Sequence, residues 1–545
     1  MLHLGCHSWQ PYSIFACNFN LPTTLISPPQ DLQSMAPEIN SKKSYGFAAI
    51  SKSLKPFLIG KGVRLFVSVA VILLLARVLE EAQYAVYVSL TALVTIVGAV
   101  SSIGIQQSML RYIPELRASG NNQAMYWMFI RGMLLRVGLV GIVLLIGIPF
   151  AFKYGHNLGL DDWLWVVPWY AGVGVLRLGA LSLSQSLEAL LWQKQAQYGM
   201  AIGGFVRLMG IVLVMQFGQL DLWAVVLIEL VSEGLSLVIM TAGWFAMRSA
   251  DVHKQDGSLE WWPENRKRVY RFGAWSGLMN QTRMLYGSSP NRLMTAHYLG
   301  SADLALFGFA DSLNNLATRL MPTKMMMSMI RPVFIAKYSE EQDFSLLSDL
   351  SNLVYRLNLS LLALPIALLL VAGEPVLSWL TAGKYGEAAY LLAGFLALML
   401  TEGMRTTLEL LVQAVEKNQI LLTNLIQSVS LFVAIPLFPI LGLWALIVVN
   451  LLGTMVANFI VVYLLGRHGH DFKFDWALSA LVTGYAAVAG GLGYWVLTLS
   501  GSYIAAALVT TVVFAIGMVV KPPLRQTEKD MLMKLIRSQR KPRIT

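Results

Sequence analysis

Long apolar runs recur almost without interruption from residue 54 to residue 520. A helix needs roughly 20 mainly apolar residues to cross a bilayer, and windows of that length predict about fourteen transmembrane helices. The connections between them are too short for a soluble domain of roughly 100 residues. We therefore predict an all-α polytopic membrane protein, with spans near residues 54–76, 84–109, 128–152, 163–187, 196–217, 222–247, 269–297, 303–330, 355–380, 387–412, 419–440, 443–465, 476–499 and 502–520.

Basic residues are unevenly divided between the two sides of this predicted bundle. If the N-terminus is placed in the cytoplasm, the outer connections carry only Arg77, Lys153 and Lys384, and the inner connections and the tail carry most of the rest. Lysine and arginine concentrate in cytoplasmic loops, so both termini are predicted to be cytoplasmic. Topology thus accounts for the net charge of +11, and no nucleic-acid partner is expected.

An internal repeat relates the two halves of the chain. Residues 76–87 match residues 296–307 at a constant offset of 220, and the same offset pairs Met109 with Met329 and Arg111 with Arg331. Since six spans separate the copies, both units enter the membrane from the same side. This is a parallel repeat, which is typical of two-lobed transporters that expose a central site alternately to each side. The aligned positions are Ala76 with Ala296, Leu79 with Leu299, Ala82 with Ala302, Ala85 with Ala305, and Tyr87 with Phe307.

The repeat and the charge runs predict a domain order. A disordered cytoplasmic tail (1–53) precedes an amino-terminal lobe (54–247), a cytoplasmic linker (248–268) and a carboxy-terminal lobe (269–465). Two additional spans (466–520) and a basic cytoplasmic tail (521–545) follow. The segment before the ninth span, residues 344–354, has apolar residues at helical spacing. It is predicted to lie flat at the membrane interface, and an ordinary short amphipathic linker helix is the alternative.

The first copy of the repeat resembles a motif of the polysaccharide transporter and O-antigen flippase branch of the multidrug/oligosaccharidyl-lipid/polysaccharide exporter superfamily. Members commonly carry Ala-Arg-x-Leu-Gly-x-x-x-Tyr-Gly-x-Tyr between the first two helices. Glu80 and Ala85 replace the two glycines of that pattern, and Gly300 keeps one in the second copy. The matching residues are Ala76, Arg77, Leu79, Tyr84 and Tyr87.

This resemblance implies two pseudo-symmetric lobes around a central cavity, as in multidrug exporters of the superfamily. It implies a flippase that moves undecaprenyl-pyrophosphate-linked oligosaccharide across the bacterial inner membrane for O-antigen, exopolysaccharide or capsule assembly. Membrane lipids and the polymerase or chain-length machinery of the same pathway are then the expected partners. No cofactor is expected beyond a coupling ion, H⁺ or Na⁺.

Cationic residues inside the predicted spans are the candidates for binding such a head group. Ionisable residues at this depth usually face a cavity or a partner, and the arginine fork suits phosphate. The seventh and eighth spans are the most polar, so they are predicted to line the cavity. For Lys61 the alternative is that its long side chain extends to the lipid head groups. The candidates are Arg64, Arg283, Arg292 and Arg319, followed by Lys61, Arg177 and Arg207.

The acidic residues within the spans are fewer. Glu229, Glu233, Asp311 and Glu402 are candidates for holding a coupling proton or sodium ion, because a buried carboxylate can take either. The alternative is structural ion pairing, with Arg177 and Arg207 bound to Glu229 and Glu233, and Arg405 bound to Glu402. No metal site is expected.

Three other functions compete with the oligosaccharide flippase. A lipid II flippase has a similar span number, and a multidrug exporter of the same superfamily has a similar fold. A drug exporter for cations needs acidic groups in the amino-terminal lobe, where the first span instead carries Lys61 and Arg64. A membrane polysaccharide polymerase or ligase is the distant alternative, and the short outer loops disfavour such an enzyme.

Overall fold

The computed structural model describes residues 47–190, 192–251, 258–285, 287–321, 344–415, 417, 420 and 423–523. Those residues form a helical bundle. The helices that build the first half are α1 (Phe47–Val78), α2 (Glu81–Val100), α3 (Ile105–Ala118), α4 (Asn122–Lys153), α5 (Val167–Ala189), α6 (Gln193–Phe217) and α7 (Leu222–Asp251). The second half comprises α8 (Trp261–Leu285), α9 (Ser288–Tyr298), α10 (Ser301–Leu320), α11 (Phe344–Leu368), α12 (Glu374–Leu380), α13 (Ala388–Ala414), α14 (Asn424–Ala434), α15 (Phe438–Leu441), α16 (Trp444–Arg467), α17 (Trp476–Ser500) and α18 (Tyr503–Val520).

Eleven helical segments within the described residues are long and apolar enough to cross a membrane. They correspond to eleven of the fourteen predicted spans. The other three predicted spans fall on α1, on α8 with α9, and on α10, each of which carries charged residues along its length. The protein is thus a multi-pass membrane protein, as predicted. The number fourteen and the cytoplasmic position of both termini stay predictions.

Two of the predicted spans are broken in the structure. The run 84–109 is divided at Ser101–Gly104, where Gly104 adopts a left-handed φ of 76° between α2 and α3. The run 269–297 is divided between Leu285 and Ser288. Hydropathy averaged over a window cannot detect these breaks, because the apolar character continues through both of them.

The helices form two lobes. In the amino-terminal lobe α1 packs on α6, α6 on α7 and α5 on α7; in the carboxy-terminal lobe α11 packs on α13, α13 on α16 and α17 on α18. Contacts between the lobes run from α2 to α9 and α10, from α1 to α10, and from α3 to α8. The two-lobed architecture predicted from the repeat is therefore confirmed.

The repeat is visible in the helix boundaries. Helix α2 spans residues 81–100 and helix α10 spans residues 301–320, so both ends shift by the offset of 220 found in the sequence. The ends of α1 and α9, at Val78 and Tyr298, obey the same offset. The partners predicted for Met109 and Arg111, at positions 329 and 331, lie outside the described residues.

The two copies of the motif meet in one core between the lobes. Ala76, Leu79 and Ala85 from the first copy and Ala305 and Phe307 from the second are all fully buried in the same apolar cluster. Small residues allow the helices to approach closely here, as membrane helix packing requires. This core therefore joins the two lobes.

The prediction that residues 344–354 lie flat at the interface is wrong. This segment is the beginning of α11, which continues unbroken to Leu368. Leu347 is fully buried in an apolar cluster, and the buried Asn352 donates from Nδ2 to the carbonyl of Lys473 at 2.8 Å. The apolar stripe therefore packs against the bundle rather than against lipid head groups.

Candidate functional site

A cavity of about 630 Å³ lies between the two lobes. Helices α1, α2 and α6 form one side of it, and α8, α9 and α10 form the other. The polar seventh and eighth predicted spans thus line a cavity, as their composition predicts. The charged residues in the lining are Arg207, Arg292 and Arg319, and within the described part of the chain the lining contains no aspartate or glutamate.

Arg207 lies on the cavity wall but is part of an ion-pair network behind it. Its guanidinium is salt-bridged to Glu229 and donates to the Tyr87 hydroxyl. Glu229 is fully buried and also binds Arg177 at 2.8 Å, while the hydroxyls of Tyr87 and Tyr170 donate to its carboxylate at 2.8 and 2.9 Å. The charge of Arg207 is therefore balanced by an acid.

Arg177 is held away from the cavity lining. Its Nε donates to Glu233 at 2.9 Å in addition to the contact with Glu229. Two arginines thus share two carboxylates, in the pairing that the sequence offered as the structural alternative. Because removal of one partner from a buried pair leaves an uncompensated charge, Arg177 has a role in fixing the amino-terminal lobe.

Arg292 connects the lobes across the cavity. Its Nε donates to Asp311 at 2.8 Å within the carboxy-terminal lobe, and Asp311 also accepts from the Ser288 hydroxyl. The same guanidinium donates to Thr91 of α2 at 3.2 Å and to Ser312 at 3.1 Å. The planar fork of arginine makes these simultaneous contacts possible, so Arg292 binds both lobes together.

Arg319 and Arg64 differ from the other cavity cations. Arg319 lines the cavity with an exposed side chain, and Arg64 lies one helical turn before the lining residues Val67 and Ser68 of α1. The two are close enough for their charges to interact. Within the described part of the chain, neither side chain forms a salt bridge or a hydrogen bond. Glu233 and Glu188 also act on Arg64 electrostatically, but neither forms a salt bridge with it. The two arginines therefore leave a positive charge beside the cavity that no direct ion pair in the described residues cancels.

The broken span adds a further positive feature. Helix α9 begins at Ser288, and Gly287, Ser288 and Ser289 at its start line the cavity. The first amide groups of a helix have no intrahelical partner and carry a partial positive charge. A half-helix that begins at a transporter cavity is a recognised arrangement for holding an anionic group.

The remaining predicted residues lie at the edge of the site or away from it. Lys61 is exposed one turn before Arg64, where Glu188 acts on it electrostatically. The side chain of Arg283 lies outside the described residues. Glu402 belongs to α13 and is not part of the cavity lining, and Arg405 on the same helix pairs with Glu409 at 3.7 Å.

Sequence reasoning missed several residues of the site. Thr91 and Ser288 carry no charge, and nothing in a single apolar sequence marks them as partners of Arg292 or Asp311. Glu188 was missed because it lies just past the end of the fourth predicted span, 163–187, and only charged residues inside the spans were considered. In the part of the chain that the structure describes, no group of three or more His, Cys, Asp or Glu residues could hold a metal ion.

The bundle has the fold of a membrane transporter, by comparison with solved structures. Lipid II flippase MurJ in an inward closed conformation superimposes with a TM-score of 0.57 at 10% identity, covering 86% of this chain and 98% of that one. An inward-facing MATE multidrug resistance transporter of the MOP superfamily gives a TM-score of 0.53 at 14% identity, covering 77% and 98%. At these identities the likeness establishes the fold alone.

The sequence pattern of the family described as "Polysaccharide biosynthesis protein" matches residues 74–390, which is more than half of the chain. The chain therefore belongs to that family. The match begins at the motif that carries the repeat. No curated protein sequence matches the chain. Family and fold together describe a multi-pass membrane protein of this polysaccharide-biosynthesis family, with a fold like that of MurJ and the MATE transporter.

Proposed function

We propose that this protein flips a lipid-linked oligosaccharide with a diphosphate head group across the bacterial inner membrane, for assembly of O-antigen, exopolysaccharide or capsule. The head group crosses through the cavity between the lobes while its lipid tail stays in the bilayer. Rocking of the lobes would expose the cavity to one side of the membrane and then the other. The polymerase or chain-length machinery that receives the repeat units is the expected partner.

The observation that carries this proposal is the excess positive charge at Arg64 and Arg319. Burying two like charges that form no ion pair with the described residues is costly unless the site is hydrated or receives an anion. A diphosphate supplies two or more negative charges and several acceptor oxygens, which match arginine forks. Arg207 and Arg292 are already neutralised by Glu229 and Asp311, so we assign them to holding the wall.

The rest of the lining suits a sugar. Thr91, Thr95, Asn280, Ser289 and Asn315 offer hydroxyl and amide groups around the cavity. Sugar hydroxyls need such partners, because each unpaired one costs several kcal/mol to bury. The volume of about 630 Å³ falls within the roughly 300–1,000 Å³ typical of ligand pockets.

A cationic drug is a poorer fit. The described lining contains three arginines and no acid, so a cation entering it would be repelled. Lipid II carries the same diphosphate chemistry as the proposed cargo, and the experiment must therefore separate the two.

The test uses a strain in which the chromosomal copy is deleted and variants are supplied on a plasmid. Arg319→Gln should reduce surface polymer roughly ten- to hundredfold, because a hydrogen bond to a charged group contributes about 1.5–3 kcal/mol. The amount of the variant protein in the membrane should be unchanged. Arg467→Gln, exposed at the end of α16, is the matched control. Normal polymer in the Arg64→Gln, Arg319→Gln double variant would overturn the proposal.

Rescue of growth when the cell's lipid II flippase is depleted would reassign the cargo to lipid II.

We also propose that a proton or sodium gradient acts through Glu229 and Asp311. Each carboxylate is paired with an arginine on the cavity wall, so a proton or sodium ion taken up by the carboxylate would weaken that pair and loosen the wall. Glu229→Gln and Asp311→Asn should then abolish the dependence of transport on the gradient in proteoliposomes. Full dependence on the gradient in both variants would show that Glu229 and Asp311 do not couple transport to it.

A further inference from the structure

A second cavity, of about 450 Å³, opens on the flank of the bundle away from the central site. The first half of α4 forms one wall and α8 forms the other, and the corner between α2 and α3 forms the floor. Its lining residues are Ile103, Gly104, Ile105, Ser108, Met109, Trp127, Met128, Arg131, Gly132, Leu134, Leu135, Trp262, Val269, Tyr270 and Gly273. We call it the flank groove.

Most of the flank groove is apolar and open at its side. Leu134 is 68% exposed, Leu135 is 55% exposed and Ile103 is 58% exposed. In a membrane-spanning helix such side chains face lipid hydrocarbon rather than water. The open side of the groove is therefore shaped for an acyl chain.

A cation lies in the wall of the groove that α4 forms. The Arg131 guanidinium carbon is 4.3 Å from the centre of the Trp127 ring, and that ring is 4.7 Å from the Trp262 ring of α8. Arg131 is exposed, and within the described residues it forms neither a salt bridge nor a hydrogen bond. Paired tryptophans are typical of the level of lipid head groups.

A second cation lies on the same face of α8. Arg266 is exposed four residues after Trp262 and four before Tyr270, which places it between these two lining residues on one side of the helix. Arg131 stands four residues after Trp127 on α4. Both cations are thus one turn along their helices from the tryptophan pair, and the Arg131 guanidinium lies over the Trp127 ring.

The floor of the groove is a contact between the lobes. A Cβ atom on Gly104 would lie 1.8 Å from the carbonyl oxygen of Gly273, and one on Gly277 would lie 2.9 Å from the Gly104 nitrogen. The backbones of the α2–α3 corner and α8 therefore touch here. A ligand in the groove would contact both lobes across this junction.

We propose that the flank groove binds one anionic phospholipid of the membrane leaflet at which α4 and α8 begin. Its phosphate lies between Arg131 and Arg266, the tryptophan pair lies at the head-group level, and an acyl chain covers Leu134, Leu135 and Ile103. A lipid with net negative charge matches two cations better than a zwitterionic one. By contacting α4 and α8 together, the lipid stabilises the lobes in their closed contact at Gly104 and Gly273.

The experiment titrates phosphatidylglycerol and phosphatidylcholine onto the purified full-length protein and counts bound lipids by native mass spectrometry. The wild type should bind one phosphatidylglycerol in preference to phosphatidylcholine. Arg131→Gln and Arg266→Gln should each weaken that binding about fivefold, because each cation near an anionic lipid surface contributes about 1 kcal/mol. Arg248→Gln is the control, since Arg248 also stacks on rings, those of Tyr126 and Trp244, but outside the groove.

A second measurement locates the lipid. Phosphatidylglycerol with brominated acyl chains should quench fluorescence in the wild type, and less so in the Trp127→Phe, Trp262→Phe variant. Unchanged affinity in both arginine variants, absence of preference over phosphatidylcholine, or equal quenching in the tryptophan variant would each overturn the proposal.

Discussion

Arg207 lines the central cavity and is ion-paired with Glu229, a residue with no exposed surface. The wall of the cavity thus depends on a carboxylate buried behind it. This relationship separates the cavity arginines into two classes. Arg207 and Arg292 are ion-paired with acids and hold the structure, while Arg64 and Arg319 form no ion pair with any of the described residues and are available to an anion.

The Glu229 side chain should be more important for stability than its neighbour Glu233. Glu229→Gln removes the shared partner of Arg177 and Arg207 and should destabilise the protein by roughly 3–5 kcal/mol. Glu233→Gln leaves Arg177 bound to Glu229 and should lower the free energy of unfolding by clearly less. The midpoint of thermal unfolding in detergent checks both, and equal midpoints for the two variants would contradict the assignment.

Arg292 should need its forked guanidinium and not only its charge. Arg292→Lys keeps the charge but cannot reach Asp311, Ser312 and Thr91 together. We expect transport in proteoliposomes to fall roughly tenfold, with the loss of one charge-assisted hydrogen bond. Thr91→Val removes only the contact between the lobes and should cause a smaller loss. Wild-type transport by Arg292→Lys would show that the bridge has no role.

The contact between Gly104 and Gly273 should tolerate no side chain. Gly104→Ala should destabilise the protein in two ways. An alanine in the left-handed conformation costs about 1–2 kcal/mol, and its Cβ would clash with the Gly273 carbonyl. Gly120→Ala is a matched control, because Gly120 has a φ of 78° and open space around its Cβ position. The midpoint of thermal unfolding should fall further for Gly104→Ala. Equal shifts would mean that the close approach contributes nothing.

Some of the fold could be predicted from the sequence, because it depends on local pattern. The repeat predicted two related halves, and the boundaries of α2 and α10 obey the same offset. Charged residues within otherwise apolar spans indicated which helices line a cavity. The pairing of Arg177 and Arg207 with Glu229 and Glu233 was foreseeable as an alternative, since the two acids are four residues apart on one helix.

Other features depend on tertiary contacts and could not be predicted. The break at Ser101–Gly104 leaves the hydropathy unchanged, and it is held by Arg136, which donates to the Gly98 carbonyl at 2.6 Å and to Ser101 at 2.9 Å. The position of Asn352 in the bundle likewise depends on the carbonyl of Lys473, which is distant in sequence.

The most direct test of the central claim is a binding measurement on the purified protein. The affinity for undecaprenyl diphosphate is compared with that for uncharged undecaprenol, in the wild type and in the Arg64→Gln, Arg319→Gln variant. We expect the wild type to bind the diphosphate more tightly than the alcohol. In the variant the ratio of the two affinities should fall by at least about tenfold, because one charge-assisted hydrogen bond contributes that much. An unchanged preference in the variant would show that the diphosphate is bound elsewhere.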